Sequence, residues 1–122
     1  MPTTKLHAVT LDCADPAQLA EFYQHLTGLK ISYSSDSFAG LEADGGPAIG
    51  FQKVADYQAP QWPGQDVPQQ FHLDFAVDNL DETEALVLEH GAKKAPEQPG
   101  GERWTVYLDP AGHPFCLFPA KS

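Results

Sequence analysis

Residues 71–78, Phe71-His72-Leu73-Asp74-Phe75-Ala76-Val77-Asp78, repeat a pattern that opens the chain at Leu6-His7-Ala8-Val9-Thr10-Leu11-Asp12. Both stretches are rich in β-formers and tend to alternate apolar with polar positions, which reads as a strand with one buried face. Both carry a histidine near the start. Both are followed by a helical pattern and then a glycine, Gly28 or Gly91. The interval from histidine to glycine is 28 − 7 = 21 positions in one copy and 91 − 72 = 19 in the other. The order of elements beyond each glycine is also the same. Two copies of one supersecondary unit account for this, and a solenoid, which needs three or more, does not. The competing reading is a pair of unrelated strand–helix units.

Outward from these strands, each unit is punctuated by residues with a physical reason to be there. Asp15-Pro16 opens a helix, because an Asp oxygen accepts from an orphan amide and Pro suits the first helical position. Leu19, Phe22, Tyr23 and Leu26 follow at i, i+3, i+4 and i+7, one apolar stripe. Gly28 ends the helix. A strand is predicted over Lys30 to Ser35. A hairpin follows, from Phe38 to Ala43 and from Ala48 to Val54 around Asp44-Gly45-Gly46-Pro47. In the second copy a helix is predicted from Leu80 to His90, with Leu80, Thr83, Leu86, Val87 and His90 near one face. Strands are predicted at Ala92 to Ala95, Arg103 to Asp109 and Pro114 to Pro119. Pro60, Pro63, Gly64 and Pro68 interrupt everything between, so residues 55–70 read as a linker. The expectation is one domain over 1–122, with module 1 at about 5–54 and module 2 at about 71–119.

Composition narrows the function. The chain has 122 residues, 42% of them hydrophobic and 20% charged, within the range of one globular domain. A formal net charge of −10 repels nucleic acid and acidic membrane surfaces. No apolar run approaches a membrane span, and the first residues lack the pattern of a secretory signal. With only Cys13 and Cys116 present, free thiols and a cytoplasmic location are expected. No Ser-His-Asp order, phosphate-binding glycine loop or Cys-x-x-Cys motif is found.

His7, the run Asp15-Pro16-Ala17-Gln18-Leu19-Ala20-Glu21-Phe22-Tyr23 and the ending Gly28-Leu29 resemble the first module of the glyoxalase / bleomycin-resistance / dioxygenase superfamily, the vicinal oxygen chelate proteins. His72 to Asp78 and the closing Leu108-Asp109-Pro110-Ala111-Gly112-His113-Pro114-Phe115-Cys116-Leu117 resemble the second, and the glyoxalase-like branch is the nearest match. The resemblance covers nearly the whole chain. It implies an α+β fold of two βαβββ modules, each a cupped, mostly antiparallel mixed sheet with its helix outside, around a central cleft. That cleft lies within one chain or across a homodimer, and a homodimer is expected. It also implies a divalent metal on four inward side chains of the first and last strands of each module. Carried onto this chain, those positions are His7, Gln52, His72 and Cys116.

The residue types at these positions restrict the metal. Imidazole suits Zn, Ni, Co and Fe, and a thiolate suits zinc. Mg or Mn would be poorly served, and a thiolate beside iron and oxygen is easily oxidised. The usual acidic ligands are missing, so neither glyoxalase I chemistry nor ring-cleaving dioxygenation is expected. Asp74 is a candidate substitute, because it shares a strand face with His72. Arg103 is the only arginine, either an anchor for a carboxylate or phosphate or an edge charge. Alternation sets Trp104 and Val106 on one face and Arg103, Thr105 and Tyr107 on the other. Phe38, Phe51, Phe75, Tyr33 and Tyr107 are candidates for a flat wall or for core. Trp62 is a candidate lid, and Glu42 a candidate base if it points inward. His25, His90 and His113 read as structural or exposed. Three functions remain open: a metal-assisted lyase or isomerase acting on a small molecule, a metal-free protein that sequesters an antibiotic or metabolite, and a regulatory or partner-binding domain with a vestigial cleft.

Overall fold

The computed structural model describes residues 3–119, arranged as two compact units that divide between Tyr57 and Gln58. In the first unit the elements are β1 (Ala8–Cys13), α1 (Pro16–Thr27), β2 (Ile31–Ser34), β3 (Phe38–Leu41) and β4 (Ala48–Lys53). They form a four-stranded sheet in the order β1-β4-β3-β2, with β1 parallel to β4 and the other pairs antiparallel. The second unit repeats this with β5 (Leu73–Val77), α2 (Leu80–Glu89), β6 (Lys93–Lys94), β7 (Thr105–Leu108) and β8 (Pro114–Pro119), in the order β5-β8-β7-β6. The expected βαβββ duplication and α+β class are borne out.

Both helices start on a side-chain cap. Asp15 accepts from the Gln18 amide at 3.2 Å, and Asn79 accepts from the Glu82 amide at 3.0 Å. Gly28 closes α1 at φ 76°, a conformation that costs a Cβ-bearing residue more. The α1 stripe buries Leu19, Phe22 and Tyr23 completely, while Leu26 remains half-buried. Tyr23 stacks on Phe51 of β4 at 5.7 Å, which fixes the odd-numbered face of β4 as the helix side. In the second unit Phe115 plays this part. It lies 6.3 Å from Phe75 and 5.6 Å from Tyr107, and all three face the helix side of their sheet. Phe75 is half-buried, and the fully buried rings Phe115 and Tyr107 are each worth about 1.5–3 kcal/mol of transfer free energy.

Several strands are shorter than the sequence pattern suggests. β6 keeps only Lys93 and Lys94, because the Gln98 side chain takes over the next rungs. Its Nε2 donates to the carbonyls of Ala95 and Val106, both at 2.8 Å, and its Oε1 accepts from the Val106 amide at 2.9 Å. Arg103 and Trp104 precede β7 and do not open it, and Glu42 lies just beyond β3, exposed. His7 and His72 each stand one residue ahead of their strands. The turn Asp109 to His113 is built on Asp109, a buried carboxylate that accepts from the Ala111 amide at 2.8 Å and the His113 amide at 3.0 Å. This explains why the closing motif specifies a fold: its acidic group is spent on backbone amides. No helix among the described residues is long and apolar enough to cross a membrane.

Candidate metal and ligand site

The site grows from the pleat of β5. Leu73, Phe75 and Val77 turn toward the helix side, so Asp74 and Ala76 turn away from it, and the alternation extends back to His72. β8 runs parallel to β5 with Cys116 directly opposite Asp74. One sheet face therefore carries an imidazole, a carboxylate and a thiol. The His72 Nε2 is 3.1 Å from Asp74 Oδ1, and one ligand atom from each of the three residues lies within 4.8 Å of the others. Among the described residues no other His, Cys, Asp or Glu group of this size gathers in that way.

The thiol is the buried member, with the residue only 5% exposed, whereas His72 and Asp74 are open to solvent. Cys116 sits in an apolar cluster with Ala95 and Val106, against which Trp62, Trp104 and Phe118 pack. That burial, together with the adjacent Asp74 carboxylate, pushes the thiol up to about 12. Without a metal it is therefore an uncharged thiol at neutral pH, and a bound metal would displace its proton. Beside it opens a cleft of about 330 Å³, lined by Trp62, Trp104, Val106 and Phe118 on the apolar side and by Gln69, His72, Asp74 and Cys116 on the polar side. Trp104 and Phe118 are stacked at 5.5 Å. The Trp104 indole is held from behind by Gly100, where a Cβ would fall 2.4 Å from the ring.

The sequence-derived ligand set meets this geometry only in part. His72, Cys116 and the substitute Asp74 come together. Gln52 does not join His7: the parallel register sets Gln52 opposite Asp12, five positions from His7, or about 16 Å along the strand. An odd interval also sends the two side chains to opposite faces. His7 is not the counterpart of His72 either. His72 lies seven residues ahead of its cap, Asn79, while His7 lies eight ahead of Asp15, so the true counterpart of His72 is Ala8. Arg103 does not line the cleft: its guanidinium lies 4.8 Å over the Trp104 ring and its Nε donates to the Gly100 carbonyl at 3.4 Å. Phe51 and Tyr107 belong to the core, and the flat wall comes instead from Trp62, Trp104 and Phe118. Gln69 was invisible in sequence, since it lies in an aperiodic stretch.

Residues 8–118 match the family model described as a glyoxalase-like domain. The chain belongs to the glyoxalase-like domain family. Solved structures agree with this family assignment. A glyoxalase/bleomycin resistance protein/dioxygenase family enzyme from Burkholderia phytofirmans is 25% identical, with a TM-score of 0.68 over 93% of this chain and 97% of that one. A protein from Bacillus cereus described as a possible glyoxalase is 18% identical, with a TM-score of 0.67 over 96% and 99%. The fosfomycin resistance protein FosX of Listeria monocytogenes, solved as a mutant with Mn(II) and 1S,2S-dihydroxypropylphosphonic acid, is 20% identical, with a TM-score of 0.72 over 99% and 93%. The last two show the shared fold alone. No curated protein sequence matches significantly. The superfamily resemblance drawn from the two histidine strands and the closing turn is thus borne out, as a family and as a fold.

Proposed function

We propose that this glyoxalase-like protein takes a small, flat, largely apolar molecule into the cleft of its second unit, and that His72, Asp74 and Cys116 hold one divalent metal, zinc before others, at the polar end. The observation that carries the proposal is the convergence of those three side chains at the wall of the cleft. About 330 Å³ is within the range of small-molecule sites.

The donor set fits the metal. A tetrahedral zinc with these ligand types wants donor atoms about 3.3–3.7 Å apart, from bond lengths of about 2.0–2.3 Å. The three atoms already lie within 4.8 Å of one another, and the two exposed side chains have room to close the difference. Three protein donors leave a fourth position open, the arrangement of a catalytic rather than a purely structural zinc. A thiolate donor favours zinc over the Mn(II) found with the Listeria protein. When bound, the metal would act as a Lewis acid toward a substrate oxygen.

The chain's own residues do the rest. Trp62, Trp104 and Phe118 bind the flat body of the ligand and exclude water from one side. Without the metal, His72 Nε2 lies 3.1 Å from Asp74 Oδ1, within reach to donate a hydrogen bond to it; with the metal bound, these groups turn to the ion instead. No Lys or Arg lines the cleft, so an anionic substituent would find a counter-charge only in the metal itself, and a neutral or cationic body suits the rest of the cleft. The two units serving as one domain, and two chains pairing as a homodimer, are part of the proposal, with light scattering on the purified protein as the check.

A second reading has its own support. Only 5% exposed and packed in an apolar cluster with Ala95 and Val106, Cys116 also suits an apolar wall, which favours a metal-free sequestering protein. Elemental analysis before and after chelation separates the two. About one zinc per chain, lost in His72→Ala/Cys116→Ala, is expected. Metal content unchanged in that double variant would overturn the metal reading. Both tryptophans of the chain line the cleft, so quenching of their fluorescence reports ligand entry under either reading.

A further inference from the structure

One polar atom in the second unit lacks a hydrogen-bond partner. The Gln69 Oε1 is buried and accepts no hydrogen bond from any described residue. Gln69 lies three positions before His72 and lines the same cleft as His72, Asp74 and Cys116. A buried carbonyl oxygen left without a donor is costly, and native folds seldom tolerate one without a use for it. An amide oxygen can only accept, so the group it awaits is a hydrogen-bond donor or a cation. Cations are absent from the side chains lining the cleft.

We infer that Gln69 is the fourth donor of the metal centre, its carbonyl oxygen closing the tetrahedron begun by His72, Asp74 and Cys116. This rests on the metal reading above and replaces its open fourth position with a protein ligand that substrate must displace or join. Charge favours an amide at this place. A divalent ion with a thiolate, a carboxylate, a neutral imidazole and a neutral amide sums to 2 − 1 − 1 = 0, the cheapest total for a cleft whose other wall is aromatic. A second carboxylate there would leave one uncompensated negative charge.

The test is a Co²⁺ titration of the full-length protein, followed by absorption. Wild type should show the intense visible bands of a four-coordinate ion and a near-ultraviolet thiolate charge-transfer band. Gln69→Met, close in shape but without the oxygen, should weaken binding 10–100-fold and shift the visible bands while keeping the thiolate band. Gln69→Glu, which keeps an oxygen donor, should retain the visible bands of wild type. Gln69→Asn, which withdraws the oxygen by one methylene, should behave like Gln69→Met and serves if the latter fails to fold. Unchanged affinity and unchanged visible bands in both oxygen-withdrawn variants would overturn the role of Gln69 while sparing the three-residue centre. Absence of any thiolate band in wild type would overturn both.

Discussion

Counted from their helix caps, the two units place matching positions on the sheet face away from the helix, and those positions carry opposite chemistry. Where the second unit has Asp74 facing Cys116, the first has Thr10 facing Gly50. Where the second has Val106 flanked by Trp104, the first has Gly40 flanked by Phe38. The Phe38 ring lies across the glycine floor, so that a Cβ on Gly50 would meet its Cζ at 2.8 Å and the Thr10 hydroxyl at 3.1 Å. One backbone plan thus supports a face closed by its own aromatic ring and a face that leaves a cleft beside an imidazole, a carboxylate and a thiol. The difference lies in side-chain volume at the position opposite the first strand: a glycine there invites the neighbouring ring inward, and a cysteine holds it off.

The sharpest way to break this comparison is to swap one matched pair. Asp74→Ala should lower zinc affinity by about 100-fold or more, whereas Thr10→Ala should leave it unchanged; isothermal titration of both variants decides. Next in size is a contact present only in the second unit. The Tyr107 hydroxyl donates to Glu84 Oε2 at 2.5 Å, and Lys94 Nζ lies 3.3 Å from the same oxygen. Tyr107→Phe should cost about 1.5–3 kcal/mol in urea unfolding at neutral pH. The Tyr107 hydroxyl, and then Lys94, hold the Glu84 carboxyl below the usual carboxylate value of 4.5 despite the opposing effect of burial. The stabilisation is therefore full above that value and is lost as pH falls through the lowered one. Urea midpoints over roughly pH 3–7 should accordingly show a shallower acid limb in Tyr107→Phe.

Smaller effects sharpen the same contrast. Gly50→Ala should destabilise by about 1–3 kcal/mol, through overpacking against Phe38, with no effect on metal affinity. A thermal melt showing no loss would mean that the ring is not pinned to the glycine floor. The smallest expected difference is between the caps: Asp15→Ala and Asn79→Ala should each cost about 1 kcal/mol, because both do the same work at equivalent helix starts.

Much of this architecture was legible in residue patterns. The caps Asp15-Pro16, the α1 stripe and Gly28 each have a local physical cause, and each stands where the pattern placed it. The site was legible in the second module alone, where the spacing of His72 and Asp74 puts two ligands on one face and the closing strand carries Cys116. The pairing of His7 with His72 as matching positions does not hold in register, for a specific reason. Matching histidine to histidine ignores that a strand has period two, and His7 sits one residue out of phase with His72. Counting back from the caps would have exposed this. Trp62 stood out only as a lone aromatic in its segment, and Gln69 carried no signal, because an aperiodic segment gives no clue to where its side chains go.

That segment has a practical consequence for anyone dividing the chain. Ala59 sits where a Cβ on Gly112 would strike it at 2.7 Å, Gln61 donates to the Val67 carbonyl at 2.7 Å, and Trp62 packs beside Cys116. A half-protein begun at Phe71, where the repeat first announces itself, would discard one wall of the cleft and its orphan amide. A gene fragment for the second half should start at Gln58, carrying the proline-rich stretch as part of the receptacle it encloses rather than as a tether.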